Sequence, residues 1–191
     1  MGKRMAIFAS GAGSNARRLM LHGCRSNFYE VVLVLTDQPS SGVQNHAKDF
    51  SIPLVVVRWK ETSSTDLMDI LREHNIDFIV LAGFLRLIHK EIVDAFSQRI
   101  INLHPSLLPK YGGRGMYGRN VHQAVFNAQE RQTGITIHYV SEEYDEGAVI
   151  AQFVTKILPE DTIETIEKKV RHLESLHFVE VVEGTIKKLH P

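Results

Sequence analysis

The run Ile100-Ile101-Asn102-Leu103-His104-Pro105-Ser106-Leu107-Leu108-Pro109 carries an amide and an imidazole two residues apart. In a strand that spacing turns both side chains to one face, because successive residues alternate. Asn donates a hydrogen bond without changing its charge, and His gives or takes a proton near neutral pH. Asn102 and His104 together suit a carbonyl oxygen that is becoming an oxyanion. The apolar β-branched pair before them and the two prolines after them read as the carboxyl end of a parallel strand running into a stiffened loop.

Two further groups of residues carry possible chemistry. Ser10-Gly11-Ala12-Gly13-Ser14-Asn15-Ala16 falls between an apolar run and a helical one. Its glycines permit a tight turn, and the free amides at a helix start donate to an anion. Gly11-x-Gly13-x-x-Ala16 also fits a dinucleotide fingerprint, with Asp37 about 20 residues further on as the acid for a ribose hydroxyl. Ser14 and Asn15, which add side-chain donors, favour a compact phosphate monoester; a plain strand-to-helix turn is the third reading. The last group is Gly134-Ile135-Thr136-Ile137-His138-Tyr139-Val140 followed by Ser141-Glu142-Glu143-Tyr144-Asp145-Glu146-Gly147. Asp145, in a turn closed by Gly147, could orient and charge an imidazole as a triad acid does. Glu142, Glu143 and Glu146 read as solvated turn acids, and His138 as a packing or supporting residue.

These positions need a scaffold of alternating strands and helices. Met5 to Ala9, Val31 to Leu35, Phe78 to Ala82 and Arg99 to Leu103 are short apolar runs, as expected of strands covered on both faces. Helical stretches fall at Ser14 to about Gly23, Gly42 to Phe50 and Ser64 to His74. Asp161 is expected to cap a final helix with Ile163, Ile166, Val170 and Leu173 on one stripe. Ile135 to Val140 and Val149 to Val154 alternate and are expected at an edge or antiparallel. The sum is a doubly wound, mostly parallel α/β sheet flanked by helices, Rossmann-like, with antiparallel strands toward the C-terminal half.

Composition narrows the function classes. A chain of 191 residues with 43% hydrophobic content fits a single domain, residues 1–191, with a good-sized core. Its 22 Lys and Arg balance 22 Asp and Glu. That balance leaves no electrostatic footprint for nucleic acid or for a membrane surface. No apolar run approaches the ~20 residues of a membrane span. The single cysteine, Cys24, excludes an internal disulfide and reads as a minor helix residue. With no signal peptide, a cytoplasmic chain is expected.

Asn102-Leu103-His104-Pro105-Ser106-Leu107-Leu108-Pro109-Lys110-Tyr111, then Gly134 to Val140 and Asp145, resemble the formyltransferase family that uses 10-formyltetrahydrofolate. With Gly11 to Asn15 and Leu81-Ala82-Gly83-Phe84-Leu85-Arg86-Leu87-Ile88, the likeness is to the branch that formylates phosphoribosylglycinamide. It runs in order over nearly the whole chain, and Asn-x-His-Pro-Ser-Leu-Leu-Pro is its most specific motif. The resemblance implies catalytic roles for Asn102, His104 and Asp145. It implies that Gly13, Ser14 and Asn15 hold the substrate phosphate and that Glu174 contacts the glycinamide part, with Arg171 one turn earlier as a cation for the phosphate. It implies folate contacts from Leu85, Arg86, Leu87 and Ile88, from Asn102, and from the loop Ser141, Glu142, Glu143, Tyr144 and Asp145. It further implies a cis Leu108–Pro109 bond.

Two stretches depart from the family pattern. Glycines at 112, 113, 115 and 118 replace a shorter loop that contains histidine, and suggest a mobile lid. Val57-Arg58-Trp59-Lys60-Glu61 lacks an arginine at the usual spacing for the folate tail; Arg58 or Lys60 could substitute.

The expected reaction is attack of the glycinamide amine on the folate-borne formyl carbon. Asn102 and a protonated His104 would stabilise the oxyanion, and Asp145 would charge His104 and help move the amine proton. No metal is expected, since the His104 and His138 spacing does not demand zinc and Cys24 has no ligand partner in sequence. The expected partners are the two small-molecule substrates, to a monomer or a homodimer. An NAD-dependent dehydrogenase would explain Gly11, Gly13, Ala16 and Asp37 but leaves Asn102, His104 and Asp145 without a task. Methionyl-tRNA formyltransferase would call for an added C-terminal nucleic-acid-binding domain, and formyltetrahydrofolate deformylase for an N-terminal regulatory one. A binding module without catalysis is the remaining alternative.

Overall fold

Residues of β1 (Lys3–Phe8) face two different apolar layers in turn. Met5 and Ile7 enter one core and Ala6 and Phe8 the other, all fully enclosed. Such two-sided burial is what a continuous apolar run in a parallel strand predicts. The computed structural model describes residues 2–188. After β1 come α1 (Ser14–Gly23), β2 (Tyr29–Thr36), α2 (Val43–Asp49), β3 (Leu54–Val56), α3 (Ser64–Glu73) and β4 (Phe78–Leu81). Then follow α4 (Lys90–Ala95), β5 (Ile100–His104), α5 (Arg119–Asn127), β6 (Gln132–Tyr139), β7 (Val149–Lys156) and α6 (Ile163–Lys188).

One seven-stranded sheet has the order β3-β2-β1-β4-β5-β6-β7. The first five strands are parallel, and β6 and β7 run antiparallel to their neighbours. The expected mostly parallel sheet with antiparallel strands late in the chain is therefore the fold. The direction in which strands are added across the sheet reverses between β1 and β4, after β3. An open α/β sheet places its ligands at such a switch point.

The helices bury the faces their sequences specify. Ala16, Leu19 and Met20 of α1 join Val170, Phe178, Val182 and Ile186 of α6 over one face; Leu67 and Leu71 of α3 join Ile92 and Val93 of α4 over the other. Fully enclosing a side chain such as Phe178, at 0% exposure, contributes ~1.5–3 kcal/mol. Helix α3 begins with a capping box, in which the Ser63 side chain accepts from the Asp66 N–H at 3.1 Å and the Asp66 carboxylate accepts from the Ser63 N–H at 3.0 Å.

Some boundaries differ from expectation. Asp161 does not cap α6. Thr162 does, its Oγ1 accepting from the Thr165 N–H at 3.3 Å, while Asp161 accepts from the Leu158 N–H at 2.7 Å and the Thr165 hydroxyl at 2.9 Å. Asp161 thus secures the turn before the helix. Of the expected stripe, Ile166 and Val170 are buried and Ile163 and Leu173 half-buried. Strand β3 and helices α4 and α5 have no counterpart among the expected elements. Three and six residues are too short to display a period, and α5 follows a loop whose glycines conceal its start.

Candidate active site

Three structural constraints converge on Asn102. Strand alternation sends Ile101 and Leu103 into one core and leaves Asn102 and His104 on the other side of the sheet, at the carboxyl end of β5. Antiparallel pairing sets Asn102 opposite His138 and His104 opposite Thr136. Past β5 the chain is pinned: Thr136 Oγ1 donates to the Ser106 carbonyl at 2.7 Å and accepts from the Leu108 N–H at 3.0 Å. The Leu108–Pro109 bond is cis, as expected.

The hydrogen-bond directions follow from which groups can only accept. His138 Nδ1 lies 2.8 Å from the Tyr139 carbonyl, so that nitrogen carries the proton. Nε2 of the same ring is then free to accept from the Asn102 amide at 3.1 Å, and the second Asn102 hydrogen reaches Asp145 Oδ1 at 3.3 Å. His104 Nε2 donates to the Tyr111 carbonyl at 2.8 Å, while its Nδ1 faces Asp145 Oδ2 at 3.4 Å. The same Oδ2 accepts the Gly113 N–H at 2.9 Å. Burial of Asp145 favours the neutral acid. The adjoining His104 ring and the Gly113 N–H outweigh it and hold the carboxyl well below the usual carboxylate range. Asp145 is an anion wedged between two imidazoles.

Asp145 adopts a left-handed backbone, φ 59°, which Asp tolerates better than most residues. Gly147 closes its turn. A Cβ there would stand 1.7 Å from the Tyr139 carbonyl oxygen, so only glycine lets the turn pass so close to β6.

A cleft of about 920 Å³ opens above this cluster and extends to the start of α1. Gly13, Ser14 and Asn15 line it, Gly13 with φ 76° and no side chain capping the helix. Amides at a helix start have no intrahelical partner, and this end is a ready anion site. From α6, Arg171 and Glu174 complete that side of the cleft. Glu174 accepts from the Asn15 amide at 2.8 Å, and burial pushes its carboxyl up against the opposing influence of Asn15, Arg171 and Arg18. Arg171 is largely exposed and pairs with Glu167 one turn earlier.

At the opposite end, Leu85, Arg86, Leu87 and Ile88 line the cleft together with Glu143, Tyr144, Asp145 and Asn102. Ser141 and Glu142 do not. The Ser141 hydroxyl donates to the Glu143 carbonyl at 3.1 Å, and Glu142 pairs with Lys90. Among the described residues, no group of three or more His, Cys, Asp and Glu side chains gathers as a metal site, and no helix is long and apolar enough to cross a membrane.

Asp37, the acid of the dinucleotide reading, is committed elsewhere. It accepts from the Ser10 hydroxyl and from Arg86 Nε, each at 2.6 Å, and its side chain is 1% exposed. It ties the glycine loop to the loop after β4 and leaves no carboxylate oxygen for a ribose. Its carboxyl is lowered by Ser10, Arg86 and Gln38, which outweigh burial.

The sequence reading missed several lining residues, among them His122 and Tyr117 near the glycine loop and Glu167 on α6. His122 shares its helix with the buried Val121 and Val125, a pattern that reads as plain core in a helix not anticipated.

A family model described as formyl transferase matches residues 3–182. The chain is 42% identical over 188 residues to the chloroplastic phosphoribosylglycinamide formyltransferase of Arabidopsis thaliana, covering 94% of this chain and 64% of that protein. It is 35% identical over 187 residues to the Bacillus subtilis enzyme of that name, covering 95% and 93%. The chain thus spans less than two thirds of the plant relative and nearly all of the bacterial one. A solved phosphoribosylglycinamide formyltransferase from Bacillus halodurans superimposes with a TM-score of 0.89 at 35% identity, over 98% of this chain and 97% of that one.

Proposed function

Since the chain belongs to the formyl transferase family, we propose that it moves a formyl group from 10-formyltetrahydrofolate to the amine of phosphoribosylglycinamide. The observation that carries this reading is the contact of Asn102, His104 and Asp145 on the floor of one cleft that also reaches the α1 N-terminus. The names of the relatives that match along nearly the whole chain support formyl transfer to phosphoribosylglycinamide. Residues 1–191 act as one catalytic unit in this reading, in the cytoplasm.

The phosphate sits on the amides of Gly13, Ser14 and Asn15 with Arg171 beside it, and Glu174 receives the glycinamide part. The folate lies along Leu85 to Ile88 and the 143–145 turn, its formyl carbon above Asn102. The amine nitrogen attacks that carbon, a new C–N bond forms, and the carbonyl electrons move to oxygen. Asn102 then turns the hydrogen that makes the long 3.3 Å bond to Asp145 toward the oxyanion. His104, as an imidazolium beside the Asp145 anion, adds positive charge. The amine gives up a proton to Asp145 by way of water. Collapse of the tetrahedral centre breaks the bond to the folate nitrogen, which takes up the proton that Asp145 received, so the exchange balances and Asp145 is again an anion. Removing one donor of this sort costs ~2.7–4 kcal/mol of transition-state stabilisation.

The test is to incubate the chain with both substrates and follow tetrahydrofolate release together with formylated ribonucleotide. Release without a formylated amine, or no release at all, would overturn the reading.

A further inference from the structure

His122 is a buried polar group with no task in the mechanism above. It lies on α5, is 3% exposed, and lines the cleft. Its Nδ1 is fully enclosed without a hydrogen-bond partner among the described residues. Nε2 is not fully enclosed, and it belongs to the ring that borders the cavity. Buried imidazoles are normally hydrogen-bonded, so an unpaired one beside a substrate cleft calls for a partner that is not protein.

The surroundings say what kind. Helix α5 packs on α6, and the charges felt at the ring are Glu167 and Arg171 from α6, Arg119 from its own helix, and His104 from β5. His122 therefore lines the cleft near both Arg171 and His104. A ribonucleotide with its phosphate at the first and its amine at the second has its sugar in the middle. Burial, opposed by Glu167 and reinforced by Arg171, Arg119 and His104, keeps the imidazole toward the neutral form. A neutral ring offers one donor and one acceptor. A hydroxyl, which can also do both, matches either tautomer. A phosphate matches only a ring that donates, and it already has the α1 amides.

We propose that His122 is a specificity residue whose imidazole hydrogen-bonds a ribose hydroxyl of the ribonucleotide. The inference rests on the substrate assignment above and adds the group that reads the sugar.

Binding of phosphoribosylglycinamide, and of its forms lacking the 2′ or the 3′ hydroxyl, is measured by calorimetry on the whole chain, with turnover recorded separately. The native protein should bind one deoxy form about tenfold more weakly than the intact ligand, the scale of one lost hydrogen bond. His122→Leu should bind the intact ligand about tenfold more weakly and no longer distinguish that deoxy form, and His122→Gln should restore part of the discrimination. Inorganic phosphate should bind the native protein and the His122→Leu variant alike. The unfolding temperature of His122→Leu should be unchanged or higher, since an apolar side chain replaces an unpaired buried nitrogen; a histidine kept for the fold would give a fall. Full discrimination in His122→Leu, or an equal loss toward inorganic phosphate, would overturn the proposal. Binding that discriminates as expected without any turnover would sink only the proposed reaction. A native chain that fails to bind the ribonucleotide would sink both.

Discussion

The backbone N–H of Gly113 donates to the Asp145 carboxylate at 2.9 Å, on the same oxygen that faces His104 at 3.4 Å. The glycine loop is thus fastened to the acid of the Asn102, His104 and Asp145 cluster, and through Tyr111 it is fastened to the imidazole as well. Loop and cluster share their hydrogen bonds, and each prediction about one bears on the other.

Asp145→Asn keeps the size of the side chain and tolerates φ 59°, but it removes the anion. The expected result is a fall in kcat of ~100-fold or more with ribonucleotide binding little changed, the usual scale of acid–base assistance. His104→Ala should cost a similar factor, and the double variant far less than the product of the two. Steady-state kinetics on the three variants decide it; strictly multiplicative losses would show that the residues act apart.

The segment 111–118 should lose amide exchange when the ribonucleotide binds. Gly113, Gly115 and Gly118 hold positive φ, and the bonds at Tyr111 and Gly113 must rearrange for His104 Nε2 to turn toward a ligand. Hydrogen exchange with and without the ribonucleotide is the measurement, and equal protection in both states would make the loop a fixed turn.

Arg171→Ala should raise the KM for the ribonucleotide more than it lowers kcat, because the proposed phosphate contact would be made equally in ground and transition states. Ser14→Ala should act in the same direction, its hydroxyl being exposed at the cleft beside the free amides of α1. A loss confined to kcat in both would move the phosphate away from this helix start.

Gly147→Ala should impair both folding and activity. The added carbon would meet the Tyr139 oxygen at 1.7 Å, and the turn can give way only by carrying Asp145 out of line with His104. A well-folded variant, judged by an unchanged unfolding temperature, that also retains full kcat would refute the tight approach.

Acid should expose the Glu183 cluster. Glu183 accepts from the Ser26 hydroxyl at 3.0 Å and pairs with His22 and Lys187; against burial, these lower its carboxyl from 4.5 to about 2. A depressed pKa contributes stability that is present above the unfolded value of about 4.5 and is lost as pH falls toward about 2. Glu183→Gln should therefore be less stable than the native chain near neutral pH, and the gap in unfolding midpoint should shrink on acidification to roughly pH 3. A gap independent of pH would mean the ion pairs do not contribute.

Much of this site is legible in the sequence, for physical reasons. Asn102 and His104 stand out because an apolar run stops at them, and a strand end is where a polar pair is left uncovered. Asp145 stands out because Gly147 marks a turn that has to pass close to a strand. Asp37 misled one reading because a fingerprint spacing fixes only the position of a carboxylate, and Ser10 and Arg86 had already taken its oxygens. His122 was hidden because α5 opens at Gly118, with φ 53° and no Ser, Thr or Asp as cap, so nothing announces a helix or a face turned to the cleft. Ser141 and Glu142 were assigned with their neighbours, yet a turn presents only some of its side chains to one side.

The buried Asp37 carboxylate joins Ser10, at the head of the loop before α1, to Arg86, in the loop after β4. The Leu85 N–H also donates to the Ser10 hydroxyl at 3.1 Å. The two loops therefore have no independent position. A ligand that drew one of them inward would do work on the other through the Asp37 carboxylate and the Ser10 hydroxyl, and any resulting change in affinity would be the same factor in both directions.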